Sequence, residues 1–352
     1  MPELDPSETQ LAPADGQETV PPQRFPIRSV FVGADGLRAV WSLLLFFALF
    51  LAALFVGNSL TPIFRDLIRS LPSATSMQSG MSPAGVFLNE GIPLISVALA
   101  TWAMAKIERR PVSAYGFPAR RGARNFCAGL AWGLALLSLL IALLRFLGFL
   151  VFDARLLSSN RLALFAAIWF ANFLLVALLE EAMSRGYLQF TLTRGLGGLY
   201  RWLFGPAHAN ALGFWTAALA LSFVFGFDHG TNPGESPLGL LDAGLVGLLW
   251  CLSLWRTGSL WWAIGFHASW DWAESFLYGV PDSGLMVKGH LFATHSLGHP
   301  YLSGGLTGPE GSLLLLPVLA CGVAVVLLTL PRTNFGYLPA NAPTSPTALD
   351  FS

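Results

Sequence analysis

Three short stretches put ionisable side chains inside otherwise apolar sequence. LLEEAMSRGYL (178–188) carries Glu180, Glu181 and Arg185, and FVFGFDHG (223–230) carries Asp228 and His229. SLWWAIGFHASWDWAESF (259–276) carries His267, Asp271 and Glu274. On a helix, Glu181 and Arg185 are i,i+4 neighbours with the acid first, the better order for an ion pair. Glu180 is turned about 100° away and lines up with Ala177 and Ser184, facing another surface. Phe225 and His229 share a face, and His229 stands where the helix meets a Gly/Pro break. His267, Asp271 and Glu274 fall at i, i+4 and i+7, one stripe on a helix otherwise covered by Trp261, Trp262, Trp270 and Trp272.

A carboxylate, two imidazoles and a further carboxylate are the parts of a hydrolytic site. One carboxylate can act as base on a water, while imidazoles orient it and stabilise an oxyanion. Glu180, His229 and His267 could equally bind one zinc with a position left for water. No H-E-x-x-H is present, so the usual zincin spacing is absent. The residues leave both routes open, and a purely structural ion-pair and hydrogen-bond network competes with each.

The elements that must position these groups are membrane helices. The chain is 54% hydrophobic and 11% charged, against about 25% charged in a soluble domain. Its mean hydropathy is +0.59. Charges inside a bilayer cost about 2.5–3.5 kcal/mol each on insertion scales, which makes such residues functional candidates. Glu90, Arg145 and Asp242 are the other members of that group.

About eight apolar segments are long enough to span: 37–57, 85–107, 124–152, 161–195, 211–229, 237–255, 259–279 and 311–331. The fold class expected is an all-α polytopic transmembrane helix bundle, with the helical domain over 37–333. Placing both termini in the cytoplasm puts the cluster Lys106, Arg109, Arg110, Arg120, Arg121 and Arg124 on that side. Arg65, Arg69, Arg155, Arg161 and Lys288 fall opposite.

Residues 1–36 and 334–352, rich in Pro and polar residues, read as disordered tails. The first 36 residues do not have the basic start and immediate apolar run of a secretory signal. Cys127, Cys251 and Cys321 lie in apolar runs without ligand spacing and read as buried thiols. His290, His295 and His299 read as a solvated loop, GLGG (195–198) as a helix terminator, and LTGPEGS (306–312) as the turn into the last helix. The formal net charge is zero, and no nucleic-acid partner is expected.

Taken together, E-E-x-x-x-R (Glu180, Glu181, Arg185), F-x-x-x-H (Phe225, His229) and H-x-x-x-D (His267, Asp271) come in order along the chain. This pattern resembles the CAAX protease and bacteriocin-processing (CPBP, Abi) family of intramembrane proteases, typified by type II CAAX prenyl endopeptidases. TGSLWWAIGFH leads into the last motif in the same way. The resemblance covers roughly residues 160–280 and implies an eight-helix fold with its site inside the membrane. It implies Glu180 as the catalytic glutamate, His229 holding the water, and His267 with Asp271 stabilising the oxyanion. That family often has Asn where this chain has Asp271. An ionised carboxylate there would repel an oxyanion, so Asp271 must be protonated or act through His267.

The resemblance does not decide between a metal-free mechanism and zinc. It implies an integral multi-pass protein, expected in a bacterial cytoplasmic membrane. Its substrate would be a membrane-associated protein or peptide, lipidated or not. A non-proteolytic immunity or scaffold protein and a proton-coupled transporter are the other classes such residues allow. The lack of repeat halves speaks against the transporter. One geometric tension is visible. On an unbroken fifth span His229 lies near the outer end, whereas Glu180 lies deeper on the fourth.

Overall fold

A computed structural model describes residues 28–33, 36–69, 80–118 and 121–331. The C-terminal tail read at 334–352 and residues 1–27 of the N-terminal one lie outside those residues. The described chain starts before the predicted first span. Arg28–Phe31 is a helical turn (α1), followed by the antiparallel pair β1 (Val32–Gly33) and β2 (Gly36–Leu37).

Each of the eight apolar segments contains a helix. The first seven segments hold α2 (Ala39–Arg69), α3 (Pro83–Ile107), α4 (Gly122–Phe146), α5 (Ser159–Glu180), α7 (Ala209–Asp228), α8 (Pro237–Thr257) and α9 (Trp261–Asp271). The helix α6 (Gln189–Phe204) runs on past the fourth, and the last apolar helix lies in the eighth. The two-stranded sheet β3 (Leu150–Arg155) and β4 (Phe292–Ser296), the short α10 (Pro300–Ser303) and the apolar α11 (Leu315–Thr329) complete the fold. A π-helical run over Glu181–Leu188 joins α5 to α6, and another over Trp272–Tyr278 continues α9.

Six helical stretches are long and apolar enough to cross a membrane, the longest being the unbroken 46 residues Ser159–Phe204. The outward surface is apolar, with Phe55, Trp202, Phe223, Phe227 and Leu328 all exposed, as lipid-facing positions should be. The protein is an integral, multi-pass, mostly helical membrane protein.

Local chemistry sets the helix ends. Ser82 accepts a hydrogen bond from Gly85 N ahead of Pro83, and Ser236 one from Gly239 N ahead of Pro237. Each pairs an N-cap hydroxyl with a proline whose missing N–H has no helical partner to lose. Small residues let helices approach closely. A Cβ on Gly129 of α4 would lie 3.0 Å from the Trp262 carbonyl carbon of α9. That contact seats α9, the carrier of His267, against α4. At the other end of the bundle Tyr187 stacks on Phe46 (4.2 Å) and Tyr115 donates to Glu108 (2.9 Å). Burial and the adjacent Glu108 push the Tyr115 hydroxyl above its usual pKa.

Four sequence expectations change. The third span stops at Phe146, and Leu150–Arg155 pairs with β4 instead; Gly148, at φ 80°, turns the chain between them. GLGG does not end a helix: α6 runs through it because α7 packs there, and a Cβ on Gly213 would lie 2.7 Å from Gly197 N. The histidine loop is ordered by specific contacts. His290 is buried against the Val287 carbonyl, His295 meets Asp153 at 2.8 Å, and His299 accepts from Tyr301 N to cap α10. Of the cysteines, Cys251 is buried, whereas Cys127 and Cys321 sit on the apolar exterior.

Candidate active site

Glu180 is the last residue of α5, and the π run starts at the next position. Wide turns of this kind recur at functional sites. Within the run, Arg185 Nη1 lies 2.7 Å from Glu181 Oε1, with the two side chains 1% and 0% exposed. The i,i+4 pair read from the sequence is therefore formed, and it is buried. The Arg185 guanidinium also lies over the Phe225 ring (4.2 Å) and the Trp250 ring (5.0 Å). Aromatic faces stabilise a desolvated cation where further hydrogen-bond acceptors are absent.

His267 sits at the meeting point of the three motifs. Its Nδ1 is 3.4 Å from Glu181 Oε1, and its Nε2 is 3.3 Å from Asp271 Oδ2 and 3.7 Å from Glu180 Oε2. Trp250 of α8 stacks on the imidazole at 4.3 Å and 23°, which fixes the ring plane. Glu181 thus has two neighbours, Arg185 and His267, where the sequence suggested one.

His229 is held differently. Its Nδ1 lies 2.7 Å from the Phe225 carbonyl oxygen. A carbonyl only accepts, so Nδ1 carries the proton of that bond, leaving Nε2 as the ring's other polar atom. The Phe225 ring meets the imidazole edge-on at 4.7 Å. Phe225 therefore supports both Arg185 and His229.

Glu180, His229, His267 and Asp271 all line one cavity of about 230 Å³. Its remaining polar lining comes from Glu90, Asp228, Thr231, Asn232, Asp282, Ser283 and Glu310, and Phe173, Val176, Val246 and Trp250 form apolar wall. A water needs about 10–15 Å³ of such space, so the cavity has room for a nucleophilic water and part of a substrate. The depth mismatch expected between Glu180 and His229 does not keep them apart, since both line this cavity.

Glu181 and Arg185 support the site from outside the cavity lining. Glu274 leaves the stripe expected from its spacing. The π run begins at Trp272, so Glu274 turns away from the cavity and lies with Asp282 and Glu310. Asp228, next to His229, is exposed and also lines the cavity. Asp282, Ser283 and Glu310 were missed because they come from loops with no motif spacing. Glu90 and Trp250 carried a signal only as an intramembrane acid and a helix aromatic.

The donor types of Glu180, His229 and His267 suit zinc. Among the described residues, however, the group whose ligand atoms lie within 4.8 Å of one another is Glu274, Asp282 and Glu310. His267 Nε2 already contacts Asp271. The three zinc candidates do not form a closed ligand set in this arrangement.

A helical membrane fold with acids and imidazoles around one cavity suits an intramembrane hydrolase. Residues 161–273 match the family model for Rce1-like proteins, described as type II CAAX prenyl endopeptidase Rce1-like. The match covers less than half of the chain, and over those residues the protein is similar, in general terms, to CAAX-type intramembrane endopeptidases. No curated protein and no solved structure matches it significantly.

Proposed function

We propose that the chain hydrolyses a peptide bond in a membrane-associated protein or peptide by a glutamate-activated water. The observation that carries this reading is the convergence of Glu180, His229 and His267 on one cavity. Glu180 takes a proton from the water as its oxygen attacks the scissile carbonyl carbon. His229 Nε2 accepts the water's second hydrogen and aims the lone pair. His267, as an imidazolium set by Glu181 at Nδ1 and by the Trp250 stack, donates from Nε2 to the developing oxyanion, which replaces Asp271 as the acceptor of that proton. Asp271 orients His267 and does not touch the oxyanion. Glu180 then passes its proton to the leaving amine.

The family description points to prenylated CAAX ends as substrates, and the apolar wall at Phe173, Val176 and Val246 suits a lipidated or apolar segment. Zinc held by Glu180, His229 and His267 is the second reading, supported by the donor types alone. Its role would be to lower the pKa of a bound water.

The test is cleavage of a membrane peptide library, including prenylated peptides, by liposome-reconstituted protein. Glu180→Ala is expected to cleave nothing that the wild type cleaves; undiminished cleavage removes Glu180 from the mechanism. Metal analysis with chelator treatment separates the two routes, since chelator-resistant activity excludes the zinc reading.

A further inference from the structure

Beside the cavity, three carboxylates from separate segments meet. Glu274 comes from the π run after α9, Asp282 from the following loop, and Glu310 from the turn before α11. One oxygen from each lies within 4.8 Å of the others. Glu310 accepts from Ser283 Oγ (2.6 Å) and Trp270 Nε1 (2.9 Å), and Asp282 accepts from Ser275 Oγ (3.1 Å). Glu274 has no such support. It is 0% exposed, and neither of its carboxylate oxygens has a hydrogen-bond partner.

Among the described residues, no lysine or arginine forms an ion pair with any of the three. A fully buried carboxylate with neither donor nor counter-charge is costly. An orphaned acid aimed at two others implies a positive ligand between them.

We propose that Glu274, Asp282 and Glu310 hold a hard divalent cation, Ca²⁺ by its tolerance of irregular oxygen geometry, in a site separate from the catalytic water. An all-oxygen set selects Ca²⁺ or Mg²⁺ over metals that favour nitrogen or sulfur. Oxygen ligands sit about 2.3–2.6 Å from Ca²⁺ and about 2.0–2.1 Å from Mg²⁺. Opposite ligands are then about 4.6–5.2 Å apart around Ca²⁺ and about 4.0–4.2 Å around Mg²⁺. Oxygens all within 4.8 Å of one another can close on one such ion, and three side chains from separate segments suit the irregular geometry that Ca²⁺ accepts and Mg²⁺ does not. The ion would clamp the end of α9 to the loops that supply Asp282, Ser283 and Glu310 to the cavity. It would also offset negative charge beside Asp271. Shared protons on the three acids are the competing way to neutralise them.

The test is calorimetric titration of chelator-washed, detergent-solubilised full-length protein with CaCl₂ alone, with thermal unfolding in parallel. Expected are saturable binding near one ion per chain and a Tm rise of about 5 °C, with a weaker response to MgCl₂. Glu274→Gln and Glu310→Gln should each weaken binding at least tenfold and abolish the Tm response. Glu180→Ala should keep both, so failure of the catalytic reading and failure of this one remain distinguishable. If Glu274→Gln does not fold, Glu274→Asp, which retracts the carboxylate by one methylene, should still show weakened binding. The absence of saturable binding to the wild type at roughly 10 mM Ca²⁺, above the weak end of protein calcium sites, overturns the proposal. So does wild-type affinity in whichever Glu274 variant folds.

Discussion

Glu180 and His267 face one another with 3.7 Å between Oε2 and Nε2, although they belong to different helices. The gap leaves the carboxylate close to the imidazole without a direct hydrogen bond. If Glu180 is the base, Glu180→Gln should lower kcat by about 10²–10⁴-fold, the usual worth of a positioned acid–base group. Peptidase assays in liposomes measure this, and a Tm within about 2 °C of wild type would show that the loss is chemical.

The buried Glu181–Arg185 pair makes a separate prediction. Removing one partner strands the other charge, at about 3–5 kcal/mol, so Glu181→Gln and Arg185→Met should each unfold much earlier on heating. Together they should recover most of the stability, because no lone charge remains. Activity should stay low in the double variant, since His267 Nδ1 has lost its carboxylate. A fully active double variant would reduce Glu181 to a structural residue.

Asp271 is expected to work through the His267 ring, which it contacts at 3.3 Å. Asp271→Asn keeps an oxygen acceptor for Nε2 and should retain activity within about tenfold, whereas Asp271→Ala should lose about 10²-fold or more. Equal losses in both would mean that the charge itself is required.

Glu235, in the loop between α7 and α8, tests a pH effect. Burial raises its pKa, although hydrogen bonds from Ser236 N and Thr307 and the nearby His229 pull the other way. The folded chain therefore prefers the neutral acid. The stability this gives is fully present below the unfolded pKa, near 4.3, and is lost as pH rises through the higher folded value. Glu235→Gln keeps an acceptor for Ser236 N and removes the charge. It should raise Tm at pH 7–8, and the difference should vanish near pH 4. A variant less stable at pH 8 would refute the assignment.

Much of this site is legible in the sequence because it rests on local spacing. The i,i+4 relations of Glu181 with Arg185, Phe225 with His229 and His267 with Asp271 each survive in the structure as contacts. The apolar runs located the helices for the same reason, since length and hydropathy are properties of a segment. What failed depended on partners. GLGG signals a helix end only if no neighbour is close, and α7 is close. Asp282 and Glu310 reach the cavity by loop paths that no periodicity encodes. Glu274 follows the i+7 stripe only on a regular α-helix, and the wide turn at Trp272 breaks that register.

The two wide turns, directly after Glu180 and directly after Asp271, make chain length a constraint of its own. A π turn closes its hydrogen bond one residue later than an α turn. Deleting a single residue from 181–188 could relax that stretch to ordinary helix, with the backbone still fully bonded. The helix beyond the run would keep its place, while side chains within it would change partners: Glu181 and Arg185 would go from i,i+4 to i,i+3 and lose the alignment that sets their 2.7 Å contact. Within these two intervals, the loss of an unremarkable alanine should be more damaging than most exchanges of its neighbours. Relatives that keep the same chemistry should therefore align across 180–188 and 271–278 without gaps.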